Sequence, residues 1–251
     1  MRLAVFADVH GNLPALEAVL ADIPARGIRH TINLGDCVSG PLWPRESCAL
    51  LMASGIPALR GNHDRWVGTA EDAAGLGSSD AYAHAELDPA QRAWLAALPT
   101  VLRPAPGLLA FHGTPWSDTE YLLDQPVQGH LSPAPPALAR ERLGAAAEGV
   151  FVALCAHSHR PAVVQLPQGG PLVVNPGSVG CPAYEDPGAP SPHISESGSP
   201  HARYAVLTLS PEGAAQVELV ALAYDWETAA RRAEANGRPG WARALRTGSM
   251  A

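Results

Sequence analysis

The sequence predicts an α/β fold with a largely parallel sheet. Three observations carry this. Residues 3–7 form a short, nearly continuous apolar run of the kind found in strands buried on both faces. Apolar residues at helical spacing follow, on Leu13, Leu16, Val19, Leu20 and Ile23. The first sixty residues then alternate β-α-β-α-β, an order that calls for right-handed crossovers between parallel strands.

Each element has a local reason. Asn12 caps the first helix, with Pro14 tolerated in its opening turn. Residues 31–34 read as the second strand, followed by a Gly35-Asp36 turn. Residues 45–54 read as a helix stopped by Gly55, and 56–59 as the third strand. Residues 66–88 are rich in Ala, Gly and Ser and only weakly periodic. Asp88-Pro89-Ala90-Gln91 then starts a capped helix that buries Trp94, Leu95 and Leu98. Strands are expected at 108–111 and 151–156, a helix at 137–147, and a hairpin of 162–166 with 172–174 around Gln168-Gly169-Gly170. Residues 182–202, poor in apolar groups and rich in Pro, Ser and Gly, read as a long mobile loop. A second hairpin pairs 204–209 with 217–223 across Pro211-Glu212-Gly213. A helix at 226–235 and a short terminal helix after Gly237 complete the reading. The expectation is one domain over 1–251, with cap segments around 66–100 and 114–147.

Composition narrows the function classes. At 47% hydrophobic, the chain is apolar enough for a packed core and excludes a disordered segment. A net charge of −7, with no arginine cluster beyond pairs such as Arg231/Arg232, argues against nucleic acid as a partner. All seventeen basic residues are arginine, which reads as codon bias of a GC-rich genome. Cys37, Cys48, Cys155 and Cys181 show neither zinc-ribbon spacing nor a disulfide framework, so a reducing compartment is expected. Asp8 and His10 break the first apolar stretch too early for a signal peptide, and no apolar run spans a membrane. The expected location is the cytoplasm, with no membrane partner.

The chemistry falls where strands end. Asp8 and His10 follow the first strand, Asp36 the second, and Asn62, His63 and Asp64 the third. His112 follows the strand ending at Phe111; His157 and His159 follow the one ending at Ala156. Carboxyl ends of α/β strands converge on one crevice where ligands bind. Leaving Asp64 aside, two Asp, one Asn and five His gathered there are too many for one zinc ion. Imidazole with carboxylate and amide oxygen suits Mn, Fe, Zn, Co or Ni and fits two ions better than one. Any one of these histidines alone is more often a surface or core residue; five strand ends delivering such groups together need a common cause.

Asp8-x-His10, Gly35-Asp36, Gly61-Asn62-His63-Asp64, His112-Gly113 and His157-x-His159, in this order, resemble the calcineurin-like metallophosphoesterases, and the small bacterial phosphodiesterases among them. The resemblance runs from residue 1 to about 180. It implies a four-layer αββα sandwich with a binuclear metal site at the strand C-terminal ends. It further implies that Asp8, His10 and His159 hold one divalent ion and Asn62, His112 and His157 the other, with Asp36 bridging. Manganese is the first expectation, with Fe, Zn, Ni or Co as alternatives. A metal-bridging hydroxide would attack the phosphorus, His63 would act as general acid, and Asp64 would orient His63, although Asp64 also suits a helix-capping role. The substrate class implied is a small phosphoester, nucleotide-derived esters included, with diesters preferred. Gly-Asp-x-x-Asp-Arg-Gly, the second block of the serine/threonine phosphatases and diadenosine tetraphosphatases, is here Gly35-Asp36-Cys37-Val38-Ser39-Gly40-Pro41, which disfavours a protein phosphatase. Phosphomonoesterase or, disfavoured as it is, protein phosphatase activity, a nuclease of the same superfamily and a non-catalytic scaffold of the same fold are the alternatives, and a homo-oligomer stays open.

The remaining polar and aromatic residues read as structural. His30, His84, His130, His193 and His201 match no motif and are expected in solvent. Arg60 and Arg65 are expected in surface ion pairs rather than on phosphate. Cys37 is expected to point away from Asp36. Trp43, Trp66 and Trp116 suit either a nucleobase or a lid, while Trp226 and Trp241 are expected to pack.

Overall fold

A computed structural model describes residues 1–210 and 214–251. In chain order the elements are β1 (Arg2–Phe6), α1 (Leu13–Ala25), β2 (His30–Asn33), α2 (Pro44–Ser54), α3 (Asn62–Thr69), α4 (Ser78–Glu86), α5 (Pro89–Ala97), β3 (Val101–Leu102), β4 (Leu108–Phe111), β5 (Asp124–Val127) and β6 (His130–Pro133). They continue with α6 (Pro136–Leu143), β7 (Val152–Leu154), β8 (Ala162–Gln165), β9 (Leu172–Asn175), β10 (Ala183–Asp186), β11 (His193–Glu196), β12 (Ala202–Leu209), β13 (Ala215–Leu222), α7 (Trp226–Ala235) and α8 (Pro239–Thr247).

Alternation along the strands builds the layers. Leu3, Val5 and Ala7 point to one side of β1 and share a core with Ile32, Leu34, Leu108, Ala110, Val152, Leu154 and Val174. This core joins the β13-β12-β1-β2 sheet to the β3-β4-β7-β9-β8 sheet, face to face. Ala4 and Phe6, on the other side of β1, meet Leu16, Val19 and Ile23 of α1 and Leu51 of α2. On the outer face of the second sheet, Leu109, Phe111, Ala153 and Val173 pack on Ala139 and Leu143 of α6. The order helix, sheet, sheet, helix is the four-layer sandwich that the sequence resemblance implied. Both faces of the central strands are buried, which explains their unbroken apolar runs.

Several expectations change. The sheets are mixed: β1 pairs parallel with β2 but antiparallel with β12, while β4, β7 and β9 run parallel. Residues 56–59 make only an isolated bridge, Asn33 to Ala58, because Pro57 has no N–H to extend the ladder. The helix expected at 137–147 stops at Leu143, where Gly144 turns out with φ 54° and a 3-10 turn follows. The stretch 182–202 is not one long loop. It supplies β10 and β11 to a third sheet, ordered β10-β11-β6-β5, and buries His193 and Ser195. These strands are four residues long and largely polar, so no apolar alternation marks them; pairing to residues 130–133 orders them instead. The hairpin of β12 and β13 forms, and its expected turn at 211–213 lies outside the described residues.

One buried carboxylate ties the site's turns together. Gly61 stands before the first residue of α3, and Asp64, fully buried, accepts its backbone N–H at 3.0 Å. The same carboxylate accepts the N–H groups of Asp36 at 2.8 Å and Cys37 at 2.9 Å. Asp64→Ala leaves three buried donors without an acceptor and is expected to lower the unfolding free energy by about 3–5 kcal/mol, read from urea denaturation. An unchanged midpoint would show that the turn holds itself.

Candidate metal centre

Left-handed turns at the strand ends place the donors. Asp8 and His10 leave β1 with φ of 55° and 49°, Asp36 leaves β2 at 56°, and His157 and His159 leave β7 at 69° and 59°. Among the described residues, seven non-glycines have positive φ, and five of them are these. Such conformations cost on the order of 1–3 kcal/mol each and collect where function holds them. Cross-strand bonds keep them in place: the Asp8 N–H donates to Gly35 O at 2.9 Å and the His10 N–H to Asp36 O at 3.0 Å. Gly61 has to lack a side chain, since a methyl group there would strike the Asp36 carboxylate.

Backbone carbonyls then orient the rings. His10 Nδ1 donates to Ser39 O at 2.6 Å, His112 Nδ1 to Leu34 O at 2.7 Å and His159 Nδ1 to Cys181 O at 2.7 Å. A carbonyl only accepts, so each Nδ1 carries a proton and each ring turns its Nε2 inward. Burial keeps His10 and His159 neutral with Nε2 bare. At His112 burial is outweighed by Asp36, which pushes the ring up to about 10, so its Nε2 must give up a proton to an ion. His157 is reversed: Nε2 lies 3.2 Å from Thr119 O, leaving Nδ1 for the site. The Nε2 atoms of His10 and His159 face each other at 3.1 Å. Two lone pairs at that separation repel unless a proton or a cation stands between them.

The carboxylates repeat the pattern. His159 Nε2 lies 3.5 Å from Asp8 Oδ1, and His112 Nε2 lies 3.3 Å from Asp36 Oδ2. Both oxygens of Asp8, Oδ2 of Asp36, Oδ1 of Asn62 and Nε2 of His112 are buried without a hydrogen-bond partner. Orphaned buried atoms cost about 1–3 kcal/mol each, more for charged groups, so this concentration fits ligation. Two groups of donors come within 4.8 Å of one another: Asp8, His10, Asp36 and His159, and Asp36, His112 and His157. Asp36 belongs to both. Burial pushes His10 down to about 4 and His157 to about 3, so both imidazoles stand deprotonated, as ligation requires. Burial opposes charge on Asp36, but His112 and His63 beside it outweigh burial and hold its carboxyl well below the usual range. Burial drives Asp8 the other way, well above that range. A donor set of this kind, with imidazole and hard oxygen together, fits divalent first-row ions.

The site residues expected from sequence therefore meet, with one change of role. Asp64 does not reach His63; its oxygens serve the backbone of Gly61, Asp36 and Cys37. Asp80 of α4 takes that place, with Oδ1 2.7 Å from His63 Nδ1 and the residue only 4% exposed. Asp80 lies in the weakly patterned cap and follows no strand, so nothing local in the sequence marks it. His63, partly buried, also donates its backbone N–H to Asp36 Oδ1 at 3.0 Å.

The centre forms the floor of a cavity of about 1190 Å³. Trp66 meets the His63 ring edge-on at 4.9 Å, and Trp241, expected only to pack, lines the cavity 6.1 Å from the His10 ring. Other expectations are corrected or met around it. His84 and His193 are buried, not solvated, each bonded to a protein oxygen. Arg65 pairs with Asp118 through two bonds of 2.7 and 2.8 Å, whereas Arg60 donates to Ala96 O. Cys37 packs into the core under α1 and α2, away from the donors. Trp116 is 67% exposed and lines not this cavity but a smaller one that it shares with Arg65, His112 and Asp118.

Residues 1–194 match the calcineurin-like phosphoesterase superfamily domain. Among solved structures, a metallophosphoesterase from Sphaerobacter thermophilus shares 23% identity over 99% of each chain, with a TM-score of 0.74. A hypothetical protein from Pyrococcus horikoshii OT3 shares 22% identity over 100% of this chain and 99% of that one, with a TM-score of 0.72. Both likenesses are of fold. An uncharacterized protein of Methanocaldococcus jannaschii is 44% identical over 62 residues, which is 25% of this chain and 26% of that relative's length. With the domain matched over most of the chain, the sandwich in place and the donors of the strand-end blocks gathered around Asp36, the chain belongs to the calcineurin-like phosphoesterase superfamily.

Proposed function

We propose that the protein hydrolyses small phosphodiesters with the help of two divalent ions, manganese first. The observation that carries this reading is the pair of donor groups sharing Asp36, with unpartnered buried atoms throughout. Asp8, His10 and His159 would hold one ion, Asn62, His112 and His157 the other, and Asp36 both. When bound, such ions polarise a phosphoryl oxygen and make water a nucleophile at neutral pH.

The chain's own residues do the rest. Asp80 occupies Nδ1 of His63 and leaves Nε2 as the free nitrogen on a ring that lines the cavity. Burial opposes the His63 charge, but Asp36 and Asp80 outweigh it and hold the imidazole up at about 9, protonated at neutral pH. It then delivers that proton to the departing ester oxygen. Asp64 keeps the turns of Asp36 and Asn62 together. The walls favour a diester, with one negative charge, over a monoester, with two. Of the cavity's arginines, Arg142 is bonded to Leu122 O and Asp124 O, and Arg238 to Ser78 O, whereas Glu120, Asp124, Glu185 and Asp186 line it as well.

Chelator-stripped protein resupplied with Mn, Ni, Zn or Mg is expected to regain turnover and to prefer bis-p-nitrophenyl phosphate to p-nitrophenyl phosphate. Monoester preference would overturn the diester assignment. Asp36→Asn is expected to bind fewer than two ions per chain by plasma mass spectrometry and to lose more than about 100-fold in turnover, beyond the roughly 10–100-fold typical of losing an outer partner. Asp80→Asn is expected to cut kcat about 10–100-fold on a dinucleoside monophosphate, whose leaving alkoxide needs a proton, and by less than about threefold on bis-p-nitrophenyl phosphate, whose leaving group does not. Equal losses on both would mean that Asp80 serves only the fold.

A further inference from the structure

The third sheet, β5, β6, β10 and β11, forms one wall of the cavity and brings three side chains into a single hydrogen-bonded chain. Tyr121, Tyr184 and His193 all line the cavity. The Tyr121 ring lies nearly parallel on the His157 imidazole at 4.5 Å, and the Tyr184 ring meets His159 at 4.6 Å. The wall therefore stands directly beside the metal donors.

The direction of the chain follows from its buried end. His193, 5% exposed, has Nδ1 2.7 Å from Ser191 O, so Nδ1 donates to that carbonyl and Nε2 is the ring nitrogen whose lone pair accepts. Tyr121 Oη, 2.8 Å from that Nε2, must donate to it. Its only proton is then used, so the 2.8 Å contact between the two phenols is a bond donated by Tyr184 to Tyr121. The carbonyl of His157, 3.3 Å from Tyr184 Oη, is the longer and weaker alternative. Every proton of the chain runs toward Ser191. The phenol oxygens keep only lone pairs for whatever enters the cavity. Glu185 and Asp186, on the same strand as Tyr184, add further acceptors to the lining.

We infer that this wall is a subsite for the non-leaving arm of the ester and that it takes an arm rich in hydroxyl donors, of the sugar or glycerol class. A wall of acceptors repels a second phosphate and leaves an alkyl arm's neighbours unpaired, whereas hydroxyl groups satisfy it. The inference rests on the phosphodiesterase reading for its turnover, and on Tyr184 and Tyr121 for its specificity.

The test compares p-nitrophenyl glyceryl phosphate with p-nitrophenyl propyl phosphate, which share a leaving group and differ only in the hydroxyls of the other arm. The expected kcat/KM ratio is about tenfold or more in favour of the glyceryl ester, falling to within about twofold in Tyr184→Phe. A merely structural role for the Tyr184 hydroxyl would slow both esters alike and leave the ratio standing, which would overturn the assignment. So would equal turnover of the two esters by the unaltered protein, or a preference for the 2-aminoethyl ester over both. Calorimetric titration with glycerol 3-phosphate and propyl phosphate reads the same preference without chemistry. If neither ester turns over, the phosphodiesterase reading fails, and tighter binding of glycerol 3-phosphate, lost in Tyr184→Phe, would uphold the subsite on its own. Equal binding would remove it.

Discussion

Everything at the centre depends on two facing sheets whose middle strands stop at a common edge. The core between them, from Leu3, Val5 and Ile32 across to Ala110, Leu154 and Val174, is apolar throughout. Burial of this kind contributes roughly 25 cal/mol per Å² and has no use for polar groups within it. Polar residues are therefore confined to the strand ends. There the chain turns sharply, and at Asp8, His10, Asp36, His157 and His159 it does so in the left-handed region. The strain of these turns is opposed by the sheets on one side and by cross-strand hydrogen bonds on the other.

Two neighbouring aspartates divide the work that one was expected to do. Asp64 is a backbone acceptor, and its three N–H bonds lock the turn after β2 to the start of α3. Asp80 comes from α4, which packs with α2 and α3 in the helical layer over the first sheet, and meets the imidazole of His63. The geometry of a short turn thus serves the fold, while a helix with no strand of its own serves the ring that faces the cavity. The arrangement makes α4 a component of the site, with Ser78 and Ser79 of the same helix lining the cavity.

The small third sheet plays a comparable part on the opposite wall. Its strands are too short and too polar to stand alone, and it is held by pairing of β11 with β6 and by contacts to the site itself. Tyr121 and Tyr184 stiffen His157 and His159 through their rings and set the polarity of the wall through their hydroxyls. Arg160, paired with Asp124 at 3.1 Å, links this sheet back to the turn after β7.

The sequence by itself determined the apolar strands, the caps at Asn12 and Asp88, and the polar residues at strand ends, Asp8, His10, Asp36, Asn62, His63, His112, His157 and His159. These are legible because each rests on a local cause: a run of buried residues, a side chain that reaches its own backbone three residues on, or a polar residue at a strand end. Only the tertiary structure decided that Asp80 rather than Asp64 meets His63, that residues 182–202 hold two strands, and that Tyr121, Tyr184 and His193 join in one chain. Their partners lie 17, 63 and 72 residues apart. Contacts at such separations leave no periodic trace in either segment, because neither side chain is selected by the backbone that carries it but by the surface that folding brings opposite.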